Sequence, residues 1–324
     1  MKSHRLRRAL IAALLVLAAA LTVAACGSSS KKSSTSNSGG GNAISKNSSN
    51  ASTTLTIGSK NFTEQKVLGE IYAQGLQAAG YKVKKQLNLG DEKTALKALQ
   101  GGQIDAYPEY TGTALLSFFG VQPGKLPKDP AQAYQLAKAD FAKKKLTALP
   151  PTPFTSSNEV AVLKKTADKY KLVNISDLKP VAGKLTLYGS PECRQRLDCL
   201  LGLQQVYGLK FKKFVPVAID LRHQVLKSGQ ADVSIVFTTD PQIKRNNEVL
   251  LKDDKHMFPP YNSTFVVRDD VSSKAGPDLA KVVAQVNKGL TAPVMQELNA
   301  RVDLDKKTPA VVASEYLKET GLIK

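Results

Sequence analysis

An alternation of strand and helix patterns constrains the fold of this 324-residue chain more than any other feature. Short apolar runs at 55–59, 81–89 and 104–107 have the residue types of buried strands. Between them, apolar residues recur at helical spacing over 67–79, and a second helical run covers 95–100. Strands that alternate with helices in this way predict a parallel β-sheet with helices on both faces.

Local signals mark where helices begin and end. Asn61, followed three residues later by Glu64, predicts a capping box at the start of the first helix, and Gly80 predicts its end. Asp129 before Pro130 is typical of an N-cap followed by proline at the first helical position. A long helix is therefore expected after Pro130.

A second α/β pattern follows a proline-rich break at 150–153. Its strands are expected at 160–163, 185–188, 214–217 and 233–237, and its helices at 200–207 and 221–227. After another break at 258–260, helical stretches close the chain at 278–290, 293–302 and 309–320. Two similar halves joined by two crossings predict two α/β lobes, 54–152 with 259–324 and 153–258, over a cleft that closes on a ligand.

The N-terminus predicts export. A basic start (Lys2, Arg5, Arg7, Arg8) precedes an apolar stretch that ends in small residues, so residues 1–25 are expected to be a signal peptide. An uncleaved signal-anchor helix is the alternative. The segment 27–52 is rich in Ser, Gly, Asn and Lys, which favours a flexible tether over a folded subdomain.

Composition limits the classes of partner and reaction. The formal net charge is +19, but the lysines are scattered along helical stretches without interleaved aromatics, which favours a solvated surface near an anionic membrane over nucleic-acid binding. The sequence contains no HExxH motif and no paired Cys-His spacing, so a metal site is not expected. The sequence also lacks a nucleophile elbow, a phosphate-binding loop and a dinucleotide-binding fingerprint. Neither an enzyme nor a cofactor is therefore expected.

The three cysteines have separate expected roles. The run 23–26 (Val-Ala-Ala-Cys) resembles a bacterial lipobox, which implies cleavage before Cys26 and acylation of its thiol, giving a lipidated tether at 26–53. Cys193 and Cys199 then remain as an even pair in an oxidising compartment, which favours a disulfide that closes a short loop. Whether their geometry permits the bond is left open by the sequence.

Several ordered motifs resemble one family. The run IGSKNFTEQ at 57–65 and PEYTGT at 108–113 resemble signatures of the osmoprotectant-binding proteins of ABC importers, the glycine betaine, proline betaine and choline group. Further matches follow in the family's order: PE at 191–192, VYG at 206–208, TTD at 238–240 and FPPY at 258–261. The resemblance covers nearly all of 54–324 and implies a two-lobed periplasmic-binding-protein fold of type II.

The resemblance also implies a ligand site. A quaternary ammonium has no N–H to donate and is held by aromatic faces, a role that the resemblance gives to Tyr110, Phe237 and Tyr261. A fourth, usually aromatic position falls on Asn158, and a neighbouring, often acidic position falls on Ser156. These departures imply weaker affinity for a trimethylammonium group, or a ligand with an extra polar group.

For a ligand carboxylate, the resemblance points to Lys60, Thr113 and Arg196, since a guanidinium can grip a carboxylate with two parallel bonds. Arg196 lies between the two cysteines, and we hypothesise that a disulfide there fixes its position.

The function implied is delivery of a glycine-betaine- or choline-type solute to an ABC permease and its ATPase. The protein is expected to be a monomer, lipid-anchored on the outer face of the cell membrane. Two alternatives remain: a protein of the same fold that binds another small zwitterion or amine, and a ligand sensor.

Overall fold

The computed structural model describes residues 43–324. The predicted signal peptide, the predicted lipidation site Cys26 and most of the predicted tether lie outside these residues. Within the described part of the chain, no helix has the length and apolar character needed to cross a membrane.

Two five-stranded sheets form the framework, one in each lobe. The strands are β1 (Thr54–Gly58), β2 (Lys82–Gln86), β3 (Ala106–Tyr110), β4 (Leu146–Ala148), β5 (Asn158–Leu163), β6 (Thr186–Gly189), β7 (Lys213–Pro216), β8 (Val233–Phe237), β9 (Glu248–Leu251) and β10 (Ser263–Arg268). The first sheet has the order β2-β1-β3-β10-β4, and the second has the order β7-β6-β8-β5-β9. The two-lobed α/β fold predicted from the sequence is thus confirmed.

The prediction of a parallel sheet is correct for only part of each lobe. Strands β1, β2 and β3 are parallel, as are β6, β7 and β8. However, β10 runs antiparallel to β3 and β4, and β5 runs antiparallel to β8 and β9. These antiparallel strands form where the chain passes from one lobe to the other, because each crossing returns the backbone in the opposite direction.

Helices cover both sheets. They are α1 (Thr63–Ala78), α2 (Glu92–Gln100), α3 (Thr111–Thr113), α4 (Pro130–Ala142), α5 (Lys164–Tyr170), α6 (Leu200–Tyr207), α7 (Arg222–Ser228), α8 (Gln242–Arg245), α9 (Asp269–Ala275), α10 (Pro277–Lys288), α11 (Ala292–Asp303) and α12 (Pro309–Glu319). The apolar stripe of α1, which includes Val67, Leu68 and Ile71, is fully buried in the core of lobe 1. Burying such a side chain contributes about 1.5–3 kcal/mol relative to leaving it in water.

One helix start differs from its prediction and one agrees with it. Helix α1 begins at Thr63 with no side-chain cap, because the Glu64 carboxylate bonds to other side chains, so the predicted capping box is wrong. Helix α4 begins at Pro130, and the Asp129 side chain accepts a hydrogen bond from the backbone N–H of Gln132 at 2.9 Å, as predicted.

The folded region begins before the predicted boundary. Ile44 is buried, and its backbone N–H donates to the carbonyl oxygen of Leu322 at 2.9 Å. Residues Ser48–Ser52 form a 3-10 turn, and the amide of Asn50 donates to the carbonyl oxygen of Ala79. Residues 43–53 therefore belong to lobe 1, and the tether predicted at 26–53 is too long by this segment.

Two crossing segments connect the lobes, between β4 and β5 and between β9 and β10. They contain the proline-rich breaks at 150–153 and 258–260. An antiparallel bridge pairs Thr155 with Asn262, so the two crossings lie side by side. This pairing places the ends of β3, β5 and β8 around one cleft.

Candidate ligand-binding site

A small cavity lies between the lobes and is lined by all seven residues predicted to bind ligand. The space in it open to the centre of a water molecule is about 60 Å³, which is room for a few waters or one small solute. The lining residues are Lys60, Asn61, Phe62, Tyr110, Thr113, Ser156, Asn158, Tyr188, Ser190, Glu192, Arg196, Cys199, Ile219, Arg222, Ile235, Phe237 and Tyr261. The structure therefore brings together the positions that the resemblance selected.

Tyr110 and Lys60 come from neighbouring strand ends of lobe 1. Tyr110 is the last residue of β3, and Lys60 follows β1. The Lys60 ammonium is buried, forms an ion pair with Glu109 and lies 4.6 Å from the centre of the Tyr110 ring. The Tyr110 hydroxyl donates to the Glu64 carboxylate at 2.6 Å. The ring is thus fixed in position by contacts with two lobe 1 elements.

The Gly112 backbone lets the Tyr261 ring approach. A Cβ at residue 112 would lie 2.8 Å from both the Tyr261 ring and Pro259, so any side chain larger than hydrogen would displace them. The Thr111 side chain also donates to the carbonyl oxygen of Pro260 at 2.9 Å. The run PEYTGT therefore supplies Tyr110 and lets the Tyr261 ring pack against Gly112.

Phe237 supplies an aromatic face from lobe 2. It ends β8, and its ring centre lies 5.2 Å from that of Phe62, which in turn lies 6.2 Å from that of Tyr110. On another side, the Arg222 guanidinium lies 4.7 Å from the centre of the Phe237 ring. Phe62 thus connects the aromatic residues of the two lobes.

The polar position Asn158 faces the same cavity. It starts β5 opposite Phe237, and its amide donates to the carbonyl oxygen of Asp198 at 3.1 Å. Ser156, in the first crossing, shares a 2.9 Å hydrogen bond with the hydroxyl of Thr239. These neutral groups occupy the side of the cavity where the family's pattern has an aromatic and an acidic residue.

Arg196 is engaged by the protein itself. Its Nε and Nη2 donate to the two carboxylate oxygens of Asp198 at 2.8 and 2.6 Å, and Nη1 lies 3.0 Å from Glu92 Oε2 of lobe 1. Burial alone would lower the pKa of Arg196, but Asp198 and Glu92 outweigh it and raise that pKa. The expectation of a two-bond grip on a ligand carboxylate is therefore wrong for the Nε–Nη2 edge, because Asp198 already occupies it.

A disulfide closes the loop that carries Arg196. Cys193 and Cys199 are bonded, with their Cα atoms 5.1 Å apart, and both are buried. The Asp198 carboxylate also accepts a hydrogen bond from the Tyr261 hydroxyl at 2.8 Å. Burial alone would raise the pKa of Asp198, but Arg196 lowers it, so this carboxylate stays ionised. The loop thus joins lobe 2 to the second crossing.

The charge of Arg222 is balanced by a buried carboxylate, as is that of Arg196. Its guanidinium forms a two-bond pair with Asp240, and Asp240 also accepts from His223 at 2.9 Å and from the backbone N–H of Phe237 at 2.8 Å. Burial would raise the pKa of Asp240, but Arg222 and His223 lower it. This network fixes the position of Phe237.

Among the lining residues that were not predicted to bind ligand are three aromatic or charged side chains of lobe 2, Tyr188, Glu192 and Arg222, and the lobe 1 residue Phe62. Phe62 and Glu192 lie within quoted motifs, and Tyr188 ends a predicted strand, so their position in the chain could have selected them. Arg222 begins a helix and belongs to no recognised motif, so nothing in the sequence indicated that it lines the cavity. Within 43–324, no cluster of three or more His, Cys, Asp or Glu side chains is arranged to hold a metal ion.

Residues 53–319 match the family described as the substrate-binding domain of the ABC-type glycine betaine transport system. The chain is 35% identical to a glycine-betaine-binding protein of Pseudomonas aeruginosa over 83% of this chain and 89% of that protein. It is 30% identical to a carnitine transport binding protein of Listeria monocytogenes over 84% of this chain and 88% of that protein.

The fold also matches solved structures. A crystal structure of a glycine betaine/carnitine/choline ABC transporter protein aligns with a TM-score of 0.64 and 28% identity, covering 82% of this chain and 98% of that one. The substrate-free structure of YehZ from Escherichia coli aligns with a TM-score of 0.59 and 28% identity, covering 82% and 98%. With its fold, its aromatic cleft and these relatives, the chain belongs to the family of substrate-binding proteins of ABC-type glycine betaine transporters.

Proposed function

We propose that this protein binds a quaternary-ammonium compatible solute outside the cytoplasm and delivers it to an ABC importer. The observation that carries the proposal is the group of aromatic rings from both lobes around one small cavity: Phe62, Tyr110, Phe237 and Tyr261. A quaternary ammonium is held by such faces, and each contact is worth about 0.5–2 kcal/mol when water is excluded.

Ligand binding favours closure of the lobes. Tyr110 and Lys60 come from lobe 1, Phe237 and Asn158 from lobe 2, and Tyr261 from the second crossing. A ligand that touches all of them has its full set of contacts only when the lobes are together, so it stabilises the closed state. The closed protein is then the form recognised by the permease, which its ATPase drives. The protein itself catalyses no reaction.

The N-terminus and the family support a location at the outer face of the membrane. Cys26 would carry a lipid anchor and hold the binding lobes at the outer face of the membrane as a monomer. The remaining chain between Cys26 and the folded lobe would let the lobes reach the permease.

Calorimetric titration of the full-length protein, purified in detergent, tests this function. The ligands are glycine betaine, proline betaine, carnitine and choline, with glycine as the control that lacks a quaternary ammonium. We expect binding of at least one quaternary ammonium and no binding of glycine. Heats indistinguishable from dilution with all four would contradict the proposal.

The aromatic role is tested by two variants of Tyr110. Tyr110→Leu removes the ring and should weaken binding about ten- to thirtyfold, since about 1.4 kcal/mol corresponds to tenfold. Tyr110→Phe keeps the ring, loses the bond to Glu64 and should retain most of the affinity. Tyr170→Leu is the matched control, because Tyr170 lies outside the cavity and has its own cation–π contact with Lys169. If Tyr110→Leu and the control bound the ligand with equal affinity, the Tyr110 ring would not contribute to ligand binding.

A further inference from the structure

The charged side chains that line the cavity are not equally available to a ligand. All three cationic ones are paired with buried carboxylates: Lys60 with Glu109, Arg196 with Asp198 and Glu92, and Arg222 with Asp240. Each of these carboxylates is at most 4% exposed. None of the three cations is therefore an unpaired positive charge that awaits an anion.

A ligand carboxylate that approached any of these cations would also come close to the buried carboxylate paired with it. To bond Lys60 or Arg196, it would have to share the proton donors with a buried carboxylate only a few ångströms away, and like charges at that distance repel strongly where water is excluded. Asp198 and Asp240 cannot relieve the repulsion by taking up a proton, because their cationic partners lower the pKa of each.

Glu192 is the charge that remains. It lines the cavity and is partly buried, and its carboxylate makes no hydrogen bond or ion pair with any residue of 43–324. It lies in the 3-10 turn Pro191–Gln195 directly after β6, and the disulfide at Cys193 fixes that turn. An unpaired carboxylate in a cavity that is also lined by aromatic rings favours a cation over a neutral or zwitterionic ligand.

Neutral hydrogen-bonding groups line the same cavity as this carboxylate. The hydroxyls of Thr113 and Ser190 line the cavity and have no side-chain hydrogen bond within the described part of the chain. They can donate to or accept from a hydroxyl without adding charge. A ligand with a quaternary ammonium at one end and a hydroxyl at the other matches this set of groups.

We propose that Glu192 is a specificity-determining residue, and that through it this cavity prefers a net-positive quaternary ammonium of the choline type to a zwitterionic betaine. This inference rests on the proposed function. It adds that the paired cations Lys60, Arg196 and Arg222 shape the cavity and bridge its walls, while the ligand itself is selected by charge at Glu192.

The test compares choline with glycine betaine, which share the trimethylammonium head and differ in the hydroxyl or carboxylate tail. Calorimetry on the full-length protein in detergent, at one fixed ionic strength, should give choline at least tenfold tighter binding. Glu192→Gln keeps the shape and removes the charge, so it should weaken choline binding about tenfold and leave glycine betaine unchanged or tighter. The ratio of the two dissociation constants should therefore approach one.

Glu319→Gln is the matched control, since Glu319 lies on α12 away from the cavity, and it should keep the wild-type ratio. Tighter binding of glycine betaine than of choline by the wild type would overturn the preference and leave the proposed function intact. A Glu192→Gln variant that weakens both ligands equally would overturn the role of Glu192 in specificity. Absence of binding by either ligand would overturn the proposed function as well.

Discussion

The side chain of Asn299, on α11 of lobe 1, donates a hydrogen bond to the backbone carbonyl oxygen of Thr239, in lobe 2, at 3.2 Å. On the same helix, the Gln296 amide donates to the carbonyl oxygen of Thr238 at 3.0 Å, and Asp303 accepts from Gln242 at 2.9 Å. These bonds cross between the lobes beside the aromatic cavity. They exist only when the lobes are together, so they stabilise the closed state without touching the ligand.

Removing one of these bonds should therefore weaken ligand binding from a distance. Gln296→Ala removes an exposed side chain and one hydrogen bond, worth about 0.5–1.5 kcal/mol. Because the apparent affinity falls with the fraction of closed protein, we expect about two- to tenfold weaker binding of every ligand that binds the wild type. Calorimetry measures the affinity, and small-angle X-ray scattering of the ligand-free protein measures the accompanying opening.

Gln135→Ala is the matched control for this experiment. Gln135 is an exposed residue of helix α4 in lobe 1, and no hydrogen bond connects it to lobe 2 within 43–324. Its loss should change neither affinity nor scattering. Unchanged affinity in both variants would show that the Gln296 bond contributes nothing to closure.

The disulfide should stabilise both the fold and the binding loop. Cys193 and Cys199 close a short loop, for which chain entropy gives about 2 kcal/mol of stabilisation. The double variant Cys193→Ser, Cys199→Ser should lower Tm by about 5 °C in scanning calorimetry. It should also weaken ligand binding, because Arg196 and Glu192 lie on the turn that the bond fixes.

The wild type treated with a reductant provides the comparison for the double variant. It should show the same fall in Tm and the same loss of affinity once the bond is reduced. A double variant with the Tm and affinity of the oxidised wild type would dismiss the hypothesis that the disulfide positions Arg196.

The carboxyl group of Glu159 should make stability depend on pH. It lies on β5, where burial first and Asp253 second raise its pKa from 4.5 to about 7. Since the folded state binds this proton more tightly than the unfolded chain, stability is lost as the pH rises from 4.5 through about 7. Above that range the folded protein carries the unfavourable effect of a partly buried, ionised carboxylate.

Glu159→Gln removes that effect. Urea unfolding should show no gain for the variant near pH 4.5 and a gain of about 1 kcal/mol or more near pH 8, because one pKa unit corresponds to about 1.4 kcal/mol. Glu297→Gln, at an exposed position on α11, should give a difference that does not vary with pH in this way. A Glu159→Gln variant whose stability follows the wild type at both pH values would contradict the raised pKa.

The sequence predicted best what is encoded by contiguous residues. The order β1-α1-β2-α2-β3 follows from apolar runs and helical spacing within 55–107, and the start of α4 follows from Asp129 and Pro130. Strands β4 and β10 could not be predicted in this way. The first has only three residues, and the second is defined by its pairing with β3, which lies far away in sequence.

The same distinction applies to the site. Motif positions selected seven residues that line one cavity, but the partners that set their charge were not predictable. Glu92, which engages Arg196, is on the other lobe, and Glu64 seemed to belong to a local cap rather than to Tyr110. The folded start at Ile44 was missed because one apolar residue in a polar stretch gives no periodic signal.

The bridge between Thr155 and Asn262 has a mechanical consequence for the whole molecule. The bridge holds the two crossing segments side by side, so they are expected to bend together rather than to slide past each other. Under the proposed function, the two lobes would turn about this paired hinge when a ligand binds. A ligand in the small cavity would in that way change the relative position of the two lobes, and this difference is what the proposed permease would recognise.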